Sequence, residues 1–128
     1  MNEYTGREGN PNVPFSPEEI ARDGLECWDE GAAVIHFHAR DPKSGAPSSK
    51  LEHYSETVRR IKDRSDVLIH PTLGAWWVSS PEERISHIVE MAKEKATKPD
   101  FAPIDMVSSI ADVYDPERRG GVLFSRRR

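Results

Sequence analysis

The sequence predicts an α/β fold of repeated βα units around a parallel sheet, and two observations carry that expectation. Three S-x-x-E signals, Ser16 with Glu19, Ser49 with Glu52 and Ser80 with Glu83, recur 33 and 31 residues apart. Short β-branched or apolar runs, "AAVIHFH", "VLIHPT" and more weakly "FAPIDMV", begin near residues 33, 67 and 101. Strands that alternate with helices at a steady period form a parallel sheet joined by right-handed crossovers. About four strands and three helices are expected, the first strand being a clipped "EYT". Either an open doubly wound sheet or part of a (β/α)8 barrel accommodates them. A complete barrel takes ~250 residues, about twice this chain.

Each helix has a start signal and a stripe. In a capping box the serine oxygen accepts from the backbone N–H three residues on, and the glutamate reaches back to the cap. "SPEEI" and "SPEERI" add Pro17 and Pro81 at the first helical position, where a missing N–H costs nothing. The expected buried stripes are Ile20, Ala21, Gly24, Leu25 and Trp28; then Leu51, Tyr54, Val58 and Ile61; then Ile85, Ile88, Val89 and Ala92.

Bulk properties narrow the class. The chain has 128 residues, 36% hydrophobic and 31% charged, enough for one domain with a modest core and too polar for a membrane protein. Neither a membrane span nor a signal peptide is evident, so a cytoplasmic location is expected. A net charge of −4 argues against nucleic acid as a partner. Cys27 is the single cysteine and is expected to be a buried, inert thiol on the first helix. No G-x-G-x-x-G or Walker loop follows a strand, which disfavours a dinucleotide or nucleoside triphosphate site.

The chemistry concentrates in "GAAVIHFHARDP". Alternation along a strand puts Val34, His36, His38 and Arg40 on one face and Ile35 and Phe37 on the other, toward a helix layer. The two imidazoles then project from the carboxyl end of their strand, where active sites of parallel α/β folds gather. Two such imidazoles can supply two of the three protein ligands of a catalytic zinc. The competing reading is a hydrogen-bonded or pH-sensitive histidine pair. Arg40, opening the next loop, has the fork geometry to hold a substrate carboxylate, or forms a loop ion pair. In "IHPTLGA", Thr72 offers a hydroxyl and Gly74 allows close approach of a ligand. His70 reads as a satisfied core imidazole rather than a ligand, His53 and His87 as surface groups beside charged neighbours, and Trp76 and Trp77 as cover for the end of the sheet.

Taken in order, "TGRE", "NPNVPFSPEEIA", "EGAAVIHFHARDPKSGAPS", "IHPTLGA" and "EERI" resemble the β-keto acid cleavage enzymes, over about residues 4–105. That resemblance implies an incomplete (β/α)8 TIM barrel, with residues 1–113 as the amino-terminal part of the domain and 114–128, ending in "SRRR", as a disordered basic tail. It also implies a generally oligomeric enzyme that condenses a β-keto acid with acetyl-CoA, releasing acetoacetate and a new CoA ester by a retro-Claisen route. His36 and His38 match the zinc-ligating histidines of the family, Glu8 an acidic residue facing substrate, and Thr72 a position where serine is typical. Zinc would act as a Lewis acid on the keto oxygen and stabilise the enolate, while nearby donors hold the carboxylate. The family's third ligand, a late glutamate, and its proton-transferring arginine and aspartate fall past residue 128, so turnover by this chain alone is not expected. Pro103 falls where some members place a threonine. Two other classes stay open: a zinc hydrolase of the amidohydrolase kind, and a non-catalytic metal-binding or assembly remnant.

Overall fold

The computed structural model describes residues 5–73 and 80–104, together with the backbone of 113–114 and 122–123. In chain order the elements are α1 (Pro17–Asp29), β1 (Val34–Phe37), α2 (Leu51–Lys62), β2 (Leu68–Pro71), α3 (Pro81–Met91), β3 (Val113–Tyr114) and β4 (Val122–Leu123). This is an α/β arrangement with three helices and a small parallel sheet.

Helix α1 starts as its sequence dictates. Ser16 Oγ accepts from Glu19 N at 3.1 Å, and Glu19 Oε2 accepts from the backbone N–H groups of both Ser16 and Phe15 at 2.9 Å. Arg7 closes the cap from outside with a 2.7 Å bond to Glu19 Oε1. These donors, the Ser16 and Phe15 amides first, lower the Glu19 carboxyl from 4.5 to about 2. Because the folded value lies below the unfolded one, ionised Glu19 contributes stability fully above pH 4.5, and that contribution drains away as pH falls toward 2. Urea midpoints of the natural chain should therefore fall more steeply across that window than those of Glu19→Gln; parallel slopes would show that the cap is not the source. Replacing Ser16 by alanine should cost ~1 kcal/mol at neutral pH.

Helix α2 departs from its signal. It begins at Leu51 with Lys50 as N-cap and no side-chain cap bond, so the Ser49–Glu52 box does not form. Neighbouring Ser48 takes over the local hydrogen bonding: its N–H donates to Ala39 O at 2.9 Å, and its Oγ accepts from Lys50 N at 3.2 Å. Helix α3 keeps its cap, with Ser80 Oγ accepting from Glu83 N at 3.1 Å.

β1 and β2 pair in parallel, with Val34 opposite Leu68, Ile35 opposite Ile69, His36 opposite His70 and Phe37 opposite Pro71. The 34-residue offset is the spacing of the first two apolar runs and is close to that of the caps. Burial alternates along β1 as expected: Ile35 and Phe37 are buried, Val34 and His36 exposed. Beyond β2, Ile69 N donates to Asp100 Oδ2 at 2.9 Å, and Ile69 O accepts from the N–H groups of Asp100 and Phe101. Pro71, the next residue on that edge, has no N–H to satisfy, which is why proline is tolerated there.

Residues 101–104 run past β2 without forming the expected strand. Among the described residues the Phe101 amide bonds Ile69 O, and Pro103 has no N–H to continue a ladder. The rest of "FAPIDMV", the residues 1–4 that carry most of "EYT", and Gly74, Trp76 and Trp77 lie outside the described residues. Val113–Tyr114 pairs antiparallel with Val122–Leu123; the arginines of the expected tail also lie outside the described residues.

One core joins α1 (Ile20, Ala21, Leu25), α2 (Tyr54, Val58, Ile61) and the inner faces of β1 and β2 (Ile35, Phe37, Ile69), with Met91 from α3. Gly24 lets α1 approach closely, since a Cβ there would sit 3.3 Å from Ile35 Cγ2 and 3.4 Å from Ile61 Cδ1. The α1 stripe matches its expectation, whereas α3 is rotated from the expected face. Ile85 and Val89 are 43% and 50% exposed, and His87 and Met91, one turn apart, face inward instead. Three further expectations are corrected. His53 and His87 are buried rather than on the surface, and Cys27 is exposed. His53 is held by Ser48 Oγ at 2.8 Å, and His87 by a backbone carbonyl; a helix neighbour's charge says nothing about which face a histidine occupies, and both occupy the inward one. Cys27 sits on the α1 turn beyond the Gly24 approach, outside the stripe.

Candidate metal and keto acid site

The strand phase that buries Ile35 and Phe37 turns His36 to the opposite face, and His38 follows just past the end of β1. Their rings lie nearly perpendicular, at 82° with centroids 5.2 Å apart, so that the two Nε2 atoms stand 3.3 Å from each other. That separation is long for an N–H···N bond. It matches the edge of a tetrahedron with ~2.0–2.1 Å zinc–nitrogen bonds, which is about 3.3 Å. Desolvation, and then the proximity of His38 and His70, hold the His36 imidazole below its ordinary value, in the neutral form a metal requires.

His70 is half-buried and lies against His36, at 4.8 Å between ring centroids. It does not complete a site. Among the described residues no group of three or more histidine, cysteine, aspartate or glutamate side chains is placed to hold one ion. Glu8 is exposed in the turn before α1, its carboxylate folded back over Gly6. Asp41 is occupied by its own loop: its Oδ1 accepts from Lys43 N, Ser44 N and Ser44 Oγ, and these bonds, the Ser44 amide first, lower its carboxyl.

Arg40 is 3% exposed and structural on at least one side, donating from Nη1 to Gly45 O at 2.9 Å. Its guanidinium lies 5.6 Å from the Phe15 ring centroid, and that of Arg7 lies 4.2 Å from the same ring. Phe15 thus ties the loop before α1 to the loop after β1, a role with no local sequence signal. Thr72 stands one step past the ladder, where the next pair after Phe37 and Pro71 is His38 and Thr72; its N–H donates to Phe37 O at 3.0 Å. Alternation places Thr72 on the His70 face. The predicted residues therefore divide: His36, His38 and Thr72 gather at the carboxyl end of the sheet, Arg40 lines its flank, and Glu8 lies in the preceding turn.

A cavity of about 280 Å³ opens between α1 and β1, with Ile20, Gly24, Cys27, His36, His38 and Arg40 among its walls. It is mostly apolar with a few convergent polar groups, the usual composition of a small-molecule pocket. Cys27, on the cavity wall, and His87, bonded to Thr72 O, hold places that the sequence did not disclose.

Residues 2–121 match the β-keto acid cleavage enzyme family. The 3-keto-5-aminohexanoate cleavage enzyme of Acetoanaerobium sticklandii is 35% identical over a match covering 77% of this chain and 34% of that protein. The 3-dehydrocarnitine:acetyl-CoA trimethylamine transferase of Rhizobium meliloti is 34% identical, covering 67% of this chain and 35% of its own length. The 3,5-dioxohexanoate:acetyl-CoA acetone transferase of Paraburkholderia graminis is 32% identical, covering 82% and 32% respectively. The chain spans about a third of the length of these relatives. The family match over nearly the whole chain, together with these relatives, shows that the chain belongs to the β-keto acid cleavage enzyme family.

Proposed function

We propose that this chain carries the metal-binding part of a zinc-dependent β-keto acid cleavage enzyme, acting between a β-keto acid and acetyl-CoA to give acetoacetate and a new CoA ester. The 3.3 Å separation of His36 and His38 Nε2 carries the reading. The pair provides two adjacent sites of a tetrahedron; a third protein ligand would come from outside the described residues. When bound, zinc supplies a Lewis acid that polarises the keto oxygen. Thr72 offers its hydroxyl to the keto acid, Arg40 holds negative charge at the cavity wall, and Glu8 is the acidic group that faces the substrate. The apolar walls contributed by α1 exclude water from the reacting carbons. In this reading β1 and β2 are successive strands of a (β/α)8 barrel, and the assembly is a cytoplasmic homo-oligomer. No helix among the described residues is long and apolar enough to cross a membrane.

The test is metal content. Purified chain loaded with zinc and desalted should retain it, and His36→Ala should lose most of it, because a single imidazole is left. Equal zinc per chain in the two proteins would dismiss the site. Retention of zinc without any binding of acetoacetate or acetyl-CoA would favour the metal-binding remnant.

A further inference from the structure

We infer that His87 is a positioning residue that reaches from α3 to lock Thr72 against the histidine-bearing strand; the inference rests on the reading of the site just given. The Thr72 backbone is held at both of its polar groups. Its N–H donates to Phe37 O at 3.0 Å, in the residue between His36 and His38, and its carbonyl accepts from His87 Nε2 at 2.9 Å. The first bond couples Thr72 to β1, and the second couples it to the helix that follows its own loop. With both made, the direction of the Thr72 side chain relative to His38 is determined by the fold rather than by the loop.

The imidazole itself is over-determined. His87 is 1% exposed and stacks on Tyr54 with 4.2 Å between centroids and 30° between planes, while Tyr54 in turn lies 5.8 Å from the Phe37 ring. A carbonyl can only accept, so Nε2 carries the hydrogen and Nδ1 keeps its lone pair. That Nδ1 is buried and has no hydrogen-bond partner among the described residues. An unsatisfied buried nitrogen is a cost that an apolar side chain of similar size would avoid, so packing alone does not explain a histidine here. The bond to Thr72 O does. Burial also keeps the ring below its ordinary titration range, against the smaller opposing effect of the Thr72 bond, so the neutral donor persists.

The test compares His87→Leu, which keeps the bulk and removes the donor, with His87→Gln, whose amide nitrogen reaches about as far as Nε2. Amide hydrogen exchange in the metal-free chain is the first readout. His87→Leu should accelerate exchange at Thr72 on the order of tenfold relative to the Val58 and Ile61 amides, and His87→Gln should restore protection. In the zinc-loaded chain, acetoacetate should bind on the order of tenfold more weakly to His87→Leu than to His87→Gln, with zinc content equal in both. Unchanged Thr72 exchange in His87→Leu, or acceleration spread evenly over all core amides, overturns the inference; the second outcome would mean a purely structural role. Loss of zinc binding by the natural chain would instead defeat the proposed function, and the exchange comparison would still decide on His87. If His87→Leu does not fold, ring-nitrogen shifts of the natural chain decide: a hydrogen on Nε2 agrees, and one on Nδ1 overturns it.

Discussion

Ile61→Ala should destabilise the chain by roughly 2–5 kcal/mol, the cost of removing a fully buried isoleucine that the surroundings cannot collapse around. Ile61 has no exposed surface and meets α1 at Gly24, where a Cβ would stand 3.4 Å from its Cδ1. Its carbonyl is also tied into the end of α2: Ile61 O accepts from Arg64 N, Ser65 N and Ser65 Oγ at 2.9–3.1 Å. Single domains are stable by only about 5–15 kcal/mol, and here one core serves three helices and two short strands, so the loss is a large share of the total. Urea unfolding of Ile61→Ala beside Ile61→Val gives the measurement. The valine variant should cost ~0.5–1.5 kcal/mol, and the difference between the two reports the packing of the α1–α2 junction. Equal costs would mean that α1 is not seated on Ile61.

Gly45→Ala is the second large effect, expected at about 2–4 kcal/mol from two sources acting together. Gly45 has φ +71, a backbone conformation that a side chain makes unfavourable by ~1–2 kcal/mol. A methyl group there would also land on the Phe15 ring. Phe15 cannot swing aside freely, because the Arg7 and Arg40 guanidinium groups lie against its ring. The two sources separate in a double-mutant cycle with Phe15→Ala, which removes the collision and leaves the backbone strain. The double variant should be more stable than the sum of the single costs requires. Strict additivity would show that the ring does not confront residue 45. Because Gly45 O also receives the Arg40 bond, the same variant should disturb the flank of the proposed metal site, seen as altered zinc retention.

Local chemistry made a good part of this fold legible. The Ser16–Glu19 box, the proline at the first position of α1 and α3, and the alternation through Ile35, His36 and Phe37 are each properties of a few adjacent residues, and they appear in the structure as the sequence implied. The histidine pair follows from the same alternation together with its place at the end of an apolar run. The second cap shows where local reading stops: Ser49 has the right spacing to Glu52, yet Ser48 makes the bonds, because its backbone is already tied to Ala39 by the return of the loop.

The sequence by itself determined the phase of β1, two of the three capped starts and the alternation of α1, β1, α2, β2 and α3, since all of these depend on contacts within a turn or a pleat. Tertiary structure alone decided which face of α3 is inward, that His53 and His87 are buried, that Phe15 sits beneath two arginines, and that His36 and His38 turn their Nε2 atoms to 3.3 Å. Those outcomes depend on groups many residues apart in the chain. His87 shows it best: its position on the helix names no partner, and only when α3 folds against Tyr54 does the Thr72 carbonyl arrive to claim its one donated hydrogen.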